Sequence, residues 1–140
     1  MIYTGLAHLA SSAEGEQISR YHLEAAIAAQ HCRATSFVTT DWQQICHYYE
    51  QLNTLFPAFQ YRLNHAVALA QWKTPESGLA LLDTEEPPTW FAHSYLWLTV
   101  KADLHLRAGH HTHAKTYSRL ALECAPTPHI KALIRQRLNM

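Results

Sequence analysis

Residues 98–126 read LTVKADLHLRAGHHTHAKTYSRLALECAP, and this stretch decides the fold class. It contains two segments with the apolar spacing of helices, joined by a short polar turn that holds a glycine. Small residues let two helices approach closely, and a glycine permits the left-handed backbone that ends a helix. The stretch therefore predicts a helical hairpin, which is marked by Ala102, Gly109, Ala114, Ala121 and Pro126.

The same spacing of small residues recurs earlier in the chain. Two pairs are each 12 residues apart and are offset from one another by 36: Ala66 with Gly78, and Ala102 with Ala114. Pro57 and Pro126 are separated by 69 residues, close to two units of about 34. This period is similar to that of tetratricopeptide repeats, in which antiparallel helices touch at small residues. An unrelated alanine-rich helical bundle is the alternative that the spacing leaves open.

Helical patterns cover most of the 140 residues, and only 4 glycines and 6 prolines interrupt them. We expect one all-α domain over residues 1–140, without strands. About seven or eight helices should stack as antiparallel hairpins in a tetratricopeptide-like right-handed superhelix. The predicted helices lie near 2–12, 20–32, 41–55, 58–72, 75–84, 90–108, 112–124 and 128–138.

Three threonines have the position of helix N-caps. Thr40 is followed three residues later by Gln43, as in a capping box. Thr74 and Thr127 each precede a proline, which suits the first helical position. The segment FAHSYLWLTVKADLHL, residues 91–106, is apolar on nearly all sides and predicts a central helix covered by others.

The histidines near the turn raise the question of a metal site. His105, His110, His111 and His113 fall within nine positions. A helical metal site commonly needs two histidines four residues apart, and the chain contains no HxxxH pattern. We therefore expect a solvated turn and neither metal nor cofactor. A small metal or ligand binder stays the weaker alternative.

Patterns for other chemistry are equally weak. The chain has no GxSxG motif and no P-loop. Cys32 follows His31 and Cys46 precedes His47, but sequence neighbours point to different helix faces and cannot act together as nucleophile and base. We expect Cys32, Cys46 and Cys124 to be reduced thiols in the core, and we do not expect an enzyme.

Charge and hydropathy limit the partners. Eleven basic and eleven acidic side chains give a net charge of zero, and no basic stripe suggests direct DNA binding. The four tryptophans fall at helical spacing, so we expect them in the core rather than stacked on bases. We find neither an apolar run of about 18 residues nor a signal peptide, which predicts a cytoplasmic protein without a membrane partner.

Four stretches, in order and spacing, resemble the C-terminal domain of certain bacterial extracytoplasmic-function RNA polymerase sigma factors. They are YHLEAAIAAQHCRATSFVTTDWQQICHYYEQL (21–52), RLNHAVALAQWKTPESGLALLD (62–83), SYLWLTVKADLHLRAG (94–109) and HAKTYSRLALECAP (113–126). Members of that group carry a tetratricopeptide-like extension behind their polymerase- and promoter-binding regions. The resemblance covers about residues 3–138.

The polymerase- and promoter-binding regions themselves have no counterpart in this sequence. An apolar helical pattern starts at Ile2, Tyr3 and Leu6 without a capping residue before it. We therefore expect a fragment, an expressed domain or a truncated gene product that lacks the first part of the domain as well. The segment WKTPESG also differs from the more polar turn that is common in the family.

The resemblance implies a non-catalytic regulatory domain that serves transcription initiation. Its partner would be RNA polymerase, the sigma regions missing from this chain, or an unknown protein or peptide. A free-standing adaptor unrelated to transcription is the alternative. Repeat geometry places the partner in a concave groove formed by 58–72 and 90–108, lined by Leu63, Asn64, Val67, Gln71, Leu96, Thr99, Asp103 and Arg107.

Two of these groove assignments have structural alternatives. Asn64 resembles the asparagine with which some peptide-binding tetratricopeptide repeats hold a backbone or carboxylate, but it could instead satisfy a neighbouring helix. Asp103 and Arg107 are one helical turn apart and could pair with each other at the surface.

Overall fold

The computed structural model describes residues 12–33, 40–56 and 58–140, and these ranges are all-helical, without a strand. Eight helices occur in them. They are α1 (Ser12–Arg33), α2 (Trp42–Leu55), α3 (Phe59–Trp72), α4 (Pro75–Leu82), α5 (Thr89–Ala92), α6 (Tyr95–Arg107), α7 (His111–Cys124) and α8 (Pro128–Arg137). The helix predicted near 2–12 lies outside the described residues except for its last position.

Two predicted helix boundaries were wrong. Helix α1 begins at Ser12 rather than near residue 20, because the segment AEGEQ is rich in helix-forming side chains although it lacks apolar periodicity. The single helix predicted over 90–108 is two helices, since the chain turns at His93 and Ser94. The Ser94 side chain caps α6 by accepting a hydrogen bond from the Trp97 backbone N–H at 3.3 Å.

The other helix starts follow cap chemistry. Thr74 accepts from the Ser77 N–H at 3.2 Å, and Thr127 accepts from the Ile130 N–H at 3.1 Å, which confirms both predicted N-caps. A proline follows each of them inside the first turn. Helix α2 differs from the prediction: its cap is Asp41 and not Thr40, and the Asp41 carboxylate accepts from the N–H of Gln44 at 3.1 Å.

Consecutive helices pack against one another, and α6 lies at the centre. It contacts α3, α4, α5 and α7. Residues 97–104 of α6 are all buried, which confirms the central helix predicted from its apolar surface. None of the helices in the described ranges combines the length and the apolar character that crossing a membrane would require.

The buried residues form two clusters. The larger core cluster surrounds α6 and includes Leu63, Ala66, Leu82, Leu104 and Ile134. The smaller core cluster joins α1 and α2 to α3; its buried members are Ile27, Ile45, Cys46, Leu52 and Ala68. Helix α3 contributes to both clusters from different faces.

The tryptophans divide between core and surface. Trp97 is buried in the larger core cluster, as expected. The expectation was wrong for Trp90 and Trp72, whose exposed fractions are 75% and 39%. Trp90 belongs to the one-turn helix α5, which is too short to bury both faces. Trp72 ends α3, and the Lys73 ammonium lies 4.6 Å from its ring centroid.

Two glycines have the roles that their positions predicted. Gly109 has a φ of +83°, the left-handed conformation that ends α6. Gly78 lies where α4 meets α3, and a Cβ atom added there would stand 2.6 Å from the carbonyl oxygen of Ala66. The 12-residue spacing of Ala66 and Gly78 thus corresponds to a close approach of two helices.

Candidate functional site

The four groove candidates on α3 do not share one open surface. Leu63 is buried in the larger core cluster, and Val67 packs against it. Asn64 is exposed, and its side chain hydrogen-bonds to the Tyr49 side chain on α2. Burial raises the pKa of Tyr49, while this hydrogen bond opposes that rise. The Tyr49 contact favours the structural alternative for Asn64.

Gln71 is the fourth candidate on α3. Its side-chain nitrogen is buried and has no hydrogen-bond partner among the described residues. A buried amide nitrogen without a partner costs free energy, and because this atom is closed off from solvent it offers no donor at an open surface.

Two candidates on α6 line a small cleft against α8, which we call the α6–α8 cleft. Its volume is about 260 Å³, and its walls are formed by Tyr95, Leu96, Thr99, Ile130, Leu133, Ile134 and Arg137. Leu96 is 44% exposed and Leu133 is 46% exposed, so the rim presents apolar side chains to solvent. The Thr99 hydroxyl donates to the Tyr95 carbonyl oxygen at 2.6 Å and is therefore already satisfied.

Asp103 lies below this cleft in an ion-pair network. Asp103 is buried, with an exposed fraction of 4%. The Nε of Arg107 donates to one carboxylate oxygen at 3.1 Å, and the Nε of Arg137 donates to the other at 3.2 Å. Asp103 therefore pairs with Arg107, as the structural alternative predicted. The carboxylate is not at the surface, however, and a second arginine, from α8, shares it. Sequence spacing could not reveal Arg137, which lies 34 residues away.

The eight predicted groove residues are therefore placed in two regions. The α6 residues face α8, where Leu96, Thr99 and Asp103 combine apolar surface with a satisfied charge network. The α3 residues are shared between the core and the contact with α2. The α6–α8 cleft thus gives an open apolar surface to two of the predicted groove residues, Leu96 and Thr99, but it faces α8 and does not lie between α3 and α6, where the groove was predicted.

Three of the four turn histidines cluster beside Tyr117, and two of them, His105 and His113, stack with parallel rings. The His105 ring lies parallel to the Tyr117 ring, with centroids 5.4 Å apart, and its centroid is 5.0 Å from that of His113. The Nδ1 atoms of His105 and His110 are 3.0 Å apart, so one donates and the other accepts. His111 is exposed and is not part of the stack. The sequence predicted the turn but not this packing.

The stack disfavours a proton on His105. Burial, followed by the nearby Lys101 ammonium and the two neighbouring histidines, lowers the pKa of His105 to about 4. The ring is therefore neutral near pH 7. No group of three or more histidine, cysteine, aspartate or glutamate side chains suited to a metal ion occurs in the described part of the chain.

The cysteines differ from the expected core thiols. Cys46 is buried, and burial together with Glu50 raises the pKa of its thiol to about 11, which makes it a poor nucleophile. Cys32 and Cys124 are exposed, so the expectation was wrong for these two. Each lies near the C-terminal end of its helix.

Comparisons with known proteins give one distant similarity. No family model matches the chain, and no solved structure matches it. A segment of 83 residues is 36% identical to an uncharacterized protein of Rhizobium meliloti (strain 1021), over 59% of this chain and 20% of that protein. The match therefore spans a fifth of the relative's length.

Proposed function

We propose that this chain is a tetratricopeptide-like module that binds other proteins, and that it serves transcription initiation as the C-terminal part of an RNA polymerase sigma factor. The observation that carries the helical-repeat part is the contact of α4 with α3 at Gly78. The two helices meet there at Gly78 and Ala66, and the Ala66 carbonyl oxygen lies close to the space that a side chain at Gly78 would fill.

The second pair of small residues supports the same arrangement. Ala102 on α6 is fully buried and Ala114 on α7 is 5% exposed, and these two helices pack against each other. In each pair the connection between the helices is short, as in an antiparallel helical hairpin. In this proposal α3–α4 and α6–α7 are two hairpins of one repeating unit, with the short helix α5 inserted between them.

Support for a sigma-factor parent comes from where its characteristic stretches lie. LNHAVALA (63–70) belongs to α3, and GLALLD (78–83) covers most of α4 and its C-cap. These two stretches meet at the Ala66–Gly78 contact. The residues that carry the resemblance are therefore those that hold the first hairpin together.

The proposed role is binding and not catalysis. The thiol of Cys46 is buried and held protonated, and the His105 ring is held neutral within a stack. The α6–α8 cleft supplies apolar side chains at its rim, which suits an apolar anchor from a partner. We assign this cleft as the binding surface for the sigma regions or for RNA polymerase.

A calorimetric titration tests this proposal. The chain is titrated with the polymerase- and promoter-binding regions of an extracytoplasmic-function sigma factor, and separately with core RNA polymerase. Leu96→Lys places a charge on the cleft rim and should weaken binding about tenfold or more. Leu55→Lys is the matched control, because Leu55 is 47% exposed and lies at a different cleft, beside Arg20.

Each other outcome has a defined meaning. Equal binding by Leu96→Lys and by the original chain removes the α6–α8 cleft from the proposal. Absence of binding to both the sigma regions and the polymerase overturns the transcription role and leaves the free-standing adaptor. Binding to a promoter duplex by this chain alone would contradict the expected lack of direct DNA contact.

A further inference from the structure

A second, larger cleft lies between α7 and α8. We call it the α7–α8 cleft. Its volume is about 1090 Å³, at the upper end of the range of sites that enclose small molecules, which hold about 300–1,000 Å³. Four cations line it, against a single acidic side chain, that of Glu123; the cations are Lys115, Arg119, Lys131 and Arg135.

These four cations differ from most others in the chain. In the described ranges, five basic side chains pair with a carboxylate: Arg20, Arg62, Lys101, Arg107 and Arg137. None of the cleft cations makes an ion pair with a described residue. The sequence as a whole has no net charge, so the cleft is a local concentration of unneutralised positive charge.

Helical spacing arranges the charges in two rows. Lys115 and Arg119 are four residues apart on α7, and Lys131 and Arg135 are four residues apart on α8. Side chains at this spacing lie on one face of a helix, about 6 Å apart along its axis. Each wall of the cleft thus presents two cations, and a segment between the walls would meet positive charge on both sides.

The floor of the cleft is apolar. Leu106, Leu122 and Leu138 contribute to its lining together with Ala114. His111 supplies the one aromatic ring among the lining residues, and phenylalanine, tyrosine and tryptophan are absent, so successive bases would find no row of rings on which to stack. An apolar floor between basic walls matches an amphipathic protein segment with acidic flanks better than a nucleic acid.

We infer that the α7–α8 cleft binds an acidic amphipathic helix of a partner protein. Leucine-like side chains of that helix contact the floor, and its aspartates and glutamates pair with the two rows of cations. The α7 wall extends over residues 111–123, which corresponds to about 18 Å and to three turns of a bound helix. The inference goes beyond the proposed function and holds whether or not the parent is a sigma factor.

Fluorescence polarisation with a designed probe tests the inference. The probe is a fluorescein-labelled helical peptide of about four turns, with leucines on one face and glutamates on both flanks. We expect saturable binding that weakens as salt is raised, because exposed charge pairs are screened. A second peptide, with serines in place of the leucines, should bind about tenfold more weakly since it cannot contact the floor.

Matched variants locate the site. Arg119→Glu/Arg135→Glu should weaken binding of the leucine-containing peptide about tenfold or more, whereas Arg119→Lys/Arg135→Lys keeps the charge and should retain most of it. Lys73→Glu is the control for a general change in charge, because Lys73 is exposed on a different helix end. Helical circular dichroism must be the same for all variants.

Three results would overturn the inference. They are absence of peptide binding at about millimolar concentration, equal binding by the folded Arg119→Glu/Arg135→Glu variant, and tighter binding of a labelled DNA duplex than of the peptide. The last result would assign the cleft to nucleic acid.

Discussion

Replacing Gly78 with alanine tests the close approach of α4 to α3. The added Cβ would stand 2.6 Å from the Ala66 carbonyl oxygen, 3.2 Å from Cδ1 of Leu104 and 3.3 Å from Cβ of Ala70. The nearest atom belongs to the backbone of α3, so it cannot rotate away as a side chain could. Helix α4 must therefore move outward from α3, and its contact with α6 would loosen as well.

Two opposing effects set the magnitude. Alanine is favoured over glycine inside a helix by up to about 1 kcal/mol. Overpacking in a well-filled core costs about 1–3 kcal/mol, and a backbone contact belongs at the upper end of that range. We expect Gly78→Ala to lower the free energy of unfolding by about 1–2 kcal/mol, which lowers Tm by about 3–8 °C for a chain of this size.

Thermal unfolding followed by circular dichroism measures this effect, and Gly109 supplies the comparison. No atom lies within 4 Å of a Cβ at Gly109, but its φ of +83° disfavours alanine. Asparagine tolerates that backbone, so Gly109→Asn should be nearly neutral while Gly78→Asn should be more damaging than Gly78→Ala. A Gly78→Ala variant as stable as the original chain would refute the close approach of α3 and α4.

Three further variants test other parts of the structure. Ala102→Leu should overpack α6 against α7 and cost about 1–3 kcal/mol; an unchanged Tm would count against that contact. Asp103→Asn leaves two arginines without their shared carboxylate, and because both are about 40% exposed and can rehydrate, we expect a loss of only about 1–2 kcal/mol in urea unfolding; identical unfolding curves would contradict this. The pKa of His105 is about 4 in the folded chain and near 6.5 in the unfolded chain, so acid favours the unfolded chain, which binds the proton more readily. The stability that depends on a neutral His105 is therefore complete above about pH 6.5 and is lost as the pH falls towards 4. After allowance for the solvent-facing side of the ring, we expect about 1–2 kcal/mol of acid destabilisation, which His105→Gln should remove; an unchanged pH dependence would contradict it.

Local chemistry explains which helix boundaries could be predicted from the sequence. The N-caps at Thr74 and Thr127 could be predicted because the threonine, the following proline and the capped backbone N–H all lie within four residues of the sequence. The turn before Ser94 could not be found in this way, since the apolar pattern continues through it on both sides. Periodicity reports which face of a helix is buried and does not report where the chain changes direction.

Tertiary packing explains most of what the sequence did not reveal about the sites. The pairing of Arg137 with Asp103 depends on how α8 lies against α6. The four cations of the α7–α8 cleft are spread over 21 residues from Lys115 to Arg135, among mostly apolar and uncharged neighbours. Only the packing of two helices collects them on facing walls, so neither net charge nor a search for a basic run could predict the cleft.

The membership of α3 in both core clusters determines how the molecule would open. Helices α1 and α2 are held through the smaller core cluster, whose contact with α3 includes Ala68, whereas Leu63 and Ala66 belong to the larger one. Loss of α1 and α2 would therefore expose one side of α3 and leave the packing around α6 intact. Amide protons should then exchange with solvent in two steps, first those of α1 and α2 and last those of residues 97–104. The chain would behave as two cooperative units that share a single helix.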